Sequence, residues 1–210
     1  ILCFTELFFR LIMNEKPSYE YLQSRVTELE SLEEKHSHIK KVIVATKNIN
    51  KLITHITDKQ IFITKVCEIL TESLGYYNAW IALVNKEQTN AYMTASSGLS
   101  KEFCEIEQMT MNGAFPEKMQ RVLKEKKLIA IENPEAECLD CPLAKKYFNR
   151  SGLSHPLEFN GELFGVLSVS VPRQYYNDND EQTLFSELSN DIAYGLHKLH
   201  NDGMLHRFTK

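Results

Sequence analysis

LSHPLEFNGELFGVLSVSV, residues 153–171, is the stretch whose reading decides the fold. Two apolar runs flank Asn160-Gly161, and Asn-Gly in that setting is the strongest short-range hairpin signal, because a type I′ turn needs positive φ at both positions. The second run mixes β-branched Val with Ser, and the period of two puts Ser168 and Ser170 on one strand face. Small polar residues there either line a pocket or let a helix pack close. An antiparallel pair therefore stands at the centre of the chain.

Upstream of the hairpin, LIAIEN (128–133) reads as a short strand stopped by Pro134, and residues 116–127 read as a helix. YYNAWIALVN (76–85) and AYMTASS (91–97) read as two strands joined by a turn around Lys86–Thr89 and closed by Gly98. A helix from Lys59 to about Leu74 opens at Asp58 and stops at Gly75. Downstream, NDNDEQTLFSELSNDIAYGLHKLH (177–200) is an amphipathic helix whose expected capping box is Asn179 with Gln182. The order predicts an α+β layer architecture, with the first and last helices on one sheet face. Residues 99–151 would cover the other face.

From Tyr19 to about Ile56 the chain reads as one long helix without Gly or Pro. Leu22, Val26 and Leu29, then Ile39, Val42, Ile49, Ile53 and Ile56, form a narrow apolar stripe with a phase slip near Leu32. The stripe predicts either a two-stranded coiled coil or helical bundle, or one amphipathic helix lying on its own domain. ILCFTELFFRLIM at the start is apolar but interrupted by Glu6 and Arg10, too short to cross a bilayer. Residues 1–12 read as sequence upstream of a natural start at Met13; the rival reading is the tail of a membrane anchor.

A hydrophobic share of 43% and a charged share of 25% fit a globular chain. A formal net charge of −4 argues against a nucleic-acid footprint. Five cysteines, an odd number, do not suggest a secreted disulfide scaffold, so a cytoplasmic location is expected.

The chemistry concentrates in AECLDCPL (136–143), which carries Cys138 and Cys141 in a C-x-x-C spacing. That is half of a four-ligand zinc site, which Cys104 and His155 would have to complete. It is equally a redox pair. With Pro142 opening a short helix through Tyr147, Cys141 would sit at the N-cap, where N–H groups favour the thiolate while Glu135, Glu137 and Asp140 oppose it. A pocket under this loop would have Cys138, Cys141, Tyr147 and His155 as contacts. Trp80, in mid-strand, reads as core before it reads as a surface on which a ligand stacks. The sequence names no cofactor.

VCEILTESLGYYNAWIALVN, ENPEAECLDCPLAKKYFNRSGLSHPLEFNGELFGVLSVSVP and DNDEQTLFSELSNDIAYGLHKL together resemble a GAF domain over about residues 57–200. The likeness is to the branch found in bacterial and archaeal multidomain sensor proteins, beside PAS and histidine-kinase modules, with 13–56 similar to their coiled-coil leaders and 201–210 a tail. The resemblance implies a sensory, non-catalytic domain of a two-component system that binds a small ligand or senses redox through residues 132–151. It also implies a homodimer through helices 19–56 and 178–200, with a histidine kinase or other signalling protein as partner. The N-K-F-D signature of cyclic-nucleotide binders and the Cys-His of bilin binders are missing. Two further readings are a structural dimerisation module without ligand and, from Cys104, Cys138 and Cys141, a thiol-based methionine sulfoxide reductase.

Overall fold

The computed structural model describes residues 17–208, and the side chains of Lys146 and residues 203–208 are not described. The expected segment 1–12 lies outside the described residues. Helix α1 spans Tyr19–His55. The chain divides into two compact units, one ending at Lys41 and the other beginning at Val42.

In the first unit, α1 leaves Leu22, Val26, Leu29 and Leu32 about half exposed, at 48%, 52%, 52% and 54%. The first three belong to the predicted seam, Leu32 stands at its phase slip, and all four meet solvent. Arg25 pairs with Glu28 at 2.5 Å on the surface, a contact that contributes only about 0.3–0.5 kcal/mol.

The second unit is built on a five-stranded antiparallel sheet. Its strands are β1 (Asn78–Val84), β2 (Ala91–Ser97), β3 (Ile129–Ile131), β4 (Arg150–Phe159) and β5 (Glu162–Pro172), in the order β2-β1-β5-β4-β3. Asn160 and Gly161 turn the β4–β5 hairpin with φ of 51° and 80°, the two positive values that a type I′ turn requires. In register, Trp80 faces Ser168, Asn78 faces Ser170, Gly152 faces Ser170, and Ser154 faces Ser168.

Alternation sorts the strands into two cores. Ile81, Leu83, Leu153, Leu157, Leu167 and Val169 point to the helical face, onto helices α2 (Lys59–Glu72) and α6 (Asn179–Phe208). Phe62 of α2 and Phe185 of α6 are fully buried there, each stabilising by about 1.5–3 kcal/mol. Val42, Ala45, Ile49 and Ile53 of α1 join the same cluster. This end of the helix therefore lies on its own domain, the second of the two roles predicted for the stripe.

Helix ends follow local capping. Asp58 accepts the Ile61 N–H at 2.8 Å to open α2. At α6, however, the expected Asn179–Gln182 box is absent. Asp178 caps instead, accepting N–H bonds from Asp180 at 2.9 Å and Glu181 at 3.1 Å. Gln182 turns back to the Tyr176 carbonyl. Glu181, 2% exposed, accepts the Tyr76 hydroxyl at 2.5 Å. The cap shifts by one residue to Asp178, and the glutamate three positions on binds a buried tyrosine.

The opposite sheet face carries α3 (Lys101–Met111), α4 (Glu117–Glu125), the four-residue α5 (Pro134–Glu137) and a 3-10 turn at Ala144–Tyr147. Phe103, Ile106, Met119, Val122, Leu143 and Tyr147 fill this second core around Trp80.

Candidate functional site

β1 and β5 place Trp80 and Ser168 side by side, and the chain from Pro134 to Tyr147 arches over them. The arch is a run of tight turns: Pro134 accepts the Cys138 N–H at 2.9 Å, Cys138 that of Cys141 at 3.1 Å, and Cys141 that of Ala144 at 3.0 Å. Asp140 fastens it to α4 by accepting the Glu117 N–H at 2.6 Å, so a carboxylate from the cysteine loop caps the positive end of that helix. Beneath the arch is a cavity of about 30 Å³, lined by Trp80, Lys118, Met119, Cys138, Cys141, Tyr147 and Ser168 among others.

The geometry brings together four of the residues singled out from sequence, Trp80, Cys138, Cys141 and Tyr147. Two others are elsewhere. His155 follows the parity of Leu153 and Leu157, so it faces α6 on the other side of the sheet, with its ring 6.3 Å from that of Phe185. Cys104 faces solvent from α3. No cluster of three or more His, Cys, Asp or Glu suited to a metal occurs among the described residues, and the expected set of Cys138, Cys141, Cys104 and His155 is not assembled.

Cys141 does not cap a helix begun by Pro142. The turn starts two residues later, at Ala144, with Leu143 in the cap position. The Leu143 and Ala144 N–H groups still favour the Cys141 thiolate, as does Lys118, but burial outweighs them and raises its pKa. Burial pushes the Cys138 thiol up to about 11, with Lys118 opposing and Cys141, Asp140 and Glu137 adding to the rise. Both cysteines are free thiols. The Tyr147 phenol is raised by burial as well, and it donates to Asn78 Oδ1 at 3.3 Å.

The residue that sequence reasoning passed over is Lys118. The residue is half-buried, with its ammonium over Gly152 at the cavity, and desolvation lowers its pKa to about 8 against the pull of Cys138, Cys141 and Glu137. Among the described residues no hydrogen bond or ion pair holds that ammonium. Helical spacing offered a signal: Lys118 and Val122 are one turn apart, as are Met119 and Leu123, so the lysine shares the buried stripe of α4. Ser170 Oγ, on the face of Ser168, is buried without a hydrogen-bond partner.

The comparisons match this architecture. A family model described as GAF domain covers residues 57–197, more than half of the chain. A search of curated proteins gives no match. Among solved structures, the GAF domain of an Acinetobacter phosphoenolpyruvate-protein phosphotransferase is similar at a TM-score of 0.61 and 14% identity, over 76% of this chain and 94% of its own. The nlh2 GAF domain of A. aeolicus in an inactive state gives 0.55 and 18%, over 78% and 98%. The free methionine-R-sulfoxide reductase of Neisseria meningitidis, in complex with its substrate, gives 0.54 and 13%, over 75% and 89%. At such identities these structures establish the fold. No helix among the described residues is long and apolar enough to cross a membrane. Strand order, the two-sided core and the family match agree: the chain belongs to the GAF domain family.

Proposed function

We propose that the chain is a cytoplasmic, non-catalytic sensory GAF domain that binds a small ligand under the 134–147 arch. It signals through the flanking helices of a homodimer to a histidine kinase or another signalling protein. The observation that carries this reading is the half-buried Lys118 ammonium at the cavity, which has no partner among the described residues, under a cover formed by a single loop. A cation kept partly out of water without a counter-charge makes the cavity a functional-site candidate.

The redox reading is weaker. The thiolate is the form that reacts, and burial raises both loop cysteines. Reduction of methionine sulfoxide, named for one similar fold, would need a neighbouring set of thiols; Cys104 faces solvent and does not join the pair. The cavity's small volume favours the alternative of a ligand-free dimerisation module.

Amide exchange on the purified protein across a panel of small neutral, cationic and anionic metabolites separates the two. Slower exchange in 134–147, together with altered exchange in 42–55 or 179–202, supports the sensor. No response supports the dimerisation module, and a response confined to the loop keeps the ligand while removing the signalling through the helices.

A further inference from the structure

Drawing an ammonium partly out of water without a counter-charge is unfavourable, so the surroundings of Lys118 define what is missing. The nearest carboxylate acting on it is that of Glu137, which accepts the Asn133 N–H at 2.9 Å and is not paired with the lysine. Below Nζ is the bare Cα of Gly152; a Cβ there would stand 2.6 Å from the ammonium and 3.5 Å from both Pro134 and Tyr147. Across the register from Gly152 is Ser170, whose hydroxyl has no partner. Two residues back along β5, Ser168 lines the cavity with its hydroxyl against that of Ser154. The site thus holds one cation and the Ser168 hydroxyl, with the unpartnered Ser170 hydroxyl on the same strand face, and no carboxylate lines it among the described residues.

Size and polarity narrow the occupant. A cavity of about 30 Å³ holds about two water-sized bodies. The remaining walls, Trp80, Met119, Pro116 and Pro134, tolerate a methyl group. One ammonium neutralises one negative charge, and a second charge would be left unpaired against these walls. We propose that the cavity binds a small carboxylate monoanion, of formate or acetate size, with Lys118 as its counter-ion and Ser168 as a hydrogen-bond donor. This rests on the ligand reading above and supplies its chemical class.

Trp80 is the sole tryptophan of the chain and lines the cavity, so its emission reports occupancy directly. Formate and acetate are titrated at neutral pH beside the neutral isostere acetamide, with ionic strength held by a bulky sulfonate. The expected result is a saturable change with formate or acetate that is weakened at least about tenfold for acetamide and in Lys118→Met. Gly152→Ala, which keeps the lysine but crowds its ammonium, gives the same loss and decides the matter if Lys118→Met fails to fold. No saturable response to either carboxylate, or a response unchanged in the variants, overturns the proposal. Equal affinity for acetamide also overturns the anion class while leaving the ligand reading intact; that reading falls separately, on the exchange test.

Discussion

Lys118 Nζ lies over Gly152 Cα, so close that a methyl group at position 152 would stand 2.6 Å from the nitrogen. Only a residue without Cβ leaves that volume to the ammonium. The obstructed atom is the far end of a flexible side chain, so Gly152→Ala is expected to fold with a stability change within about 1 kcal/mol while displacing Lys118. Urea unfolding measures the first and Trp80 emission the second. A loss of several kcal/mol would mean that backbone, and not the lysine, yields.

The buried lysine has a signed pH signature. Its pKa near 8 lies below the 10.5 of an exposed lysine, so between those values the unfolded chain binds more protons and stability rises with pH. Cys138, raised from 9.0 to about 11, acts oppositely: its contribution falls as pH rises above 9. Lys118→Met isolates the lysine. It is expected to be more stable than wild type at neutral pH by about 1–3 kcal/mol, with the gap closing toward about pH 10. Loss of the cation also lifts Cys138 further, which closes the gap in the same sense. Paired urea titrations across this range check it, and a gap that widens contradicts it.

Asp140 is the fastening of the arch. Asp140→Ala removes the acceptor of the Glu117 N–H and is expected to cost about 0.5–2 kcal/mol. The same change removes a negative charge that raises both loop thiols. Faster amide exchange in 134–147 and faster alkylation of Cys141 are the two readouts.

Thiol labelling should follow exposure. Among the described cysteines, Cys104 faces solvent and reacts first, Cys141 and Cys138 follow slowly, and Cys67, wholly buried with its pKa raised by desolvation, waits for unfolding. Mass spectrometry after timed alkylation gives the order. Early modification of Cys138 would contradict the burial assigned to it.

The half-exposed Leu22, Val26 and Leu29 are the seam on which the proposed dimer depends. Leu29→Lys, with Leu22→Lys if needed, is expected to reduce the mass seen by light scattering from twice 24.3 kDa to one chain. A monomeric wild type would remove the dimer from the functional reading.

Local chemistry made much of the fold legible. Asn160-Gly161 announced its turn, Asp58 its helix, and the gap-free run from Tyr19 its long helix. What escaped depended on parity or on tertiary placement. His155 was expected among the pocket contacts, yet adjacent strand residues point to opposite faces, and the parity of Leu153 and Leu157 already placed it on the helical side. Lys118 looked like one charge among several on a polar helix. Only the sheet beneath α4 reveals which of those charges is enclosed. The Asn179–Gln182 box failed because Tyr76, about a hundred positions away, claims the glutamate that sets the register.

The sheet order has a consequence for access. β3, from which the arch departs, is an edge strand of three residues paired only with β4. Its few ladder bonds make it the part of the sheet whose separation disturbs least, and short edges of this kind fray at a small fraction of the global unfolding free energy. Entry to the cavity is then a matter of transient peeling at one margin, with the β1–β5–β4 centre and the helical face intact. The cavity would then open and close rapidly while the rest of the sheet stays folded.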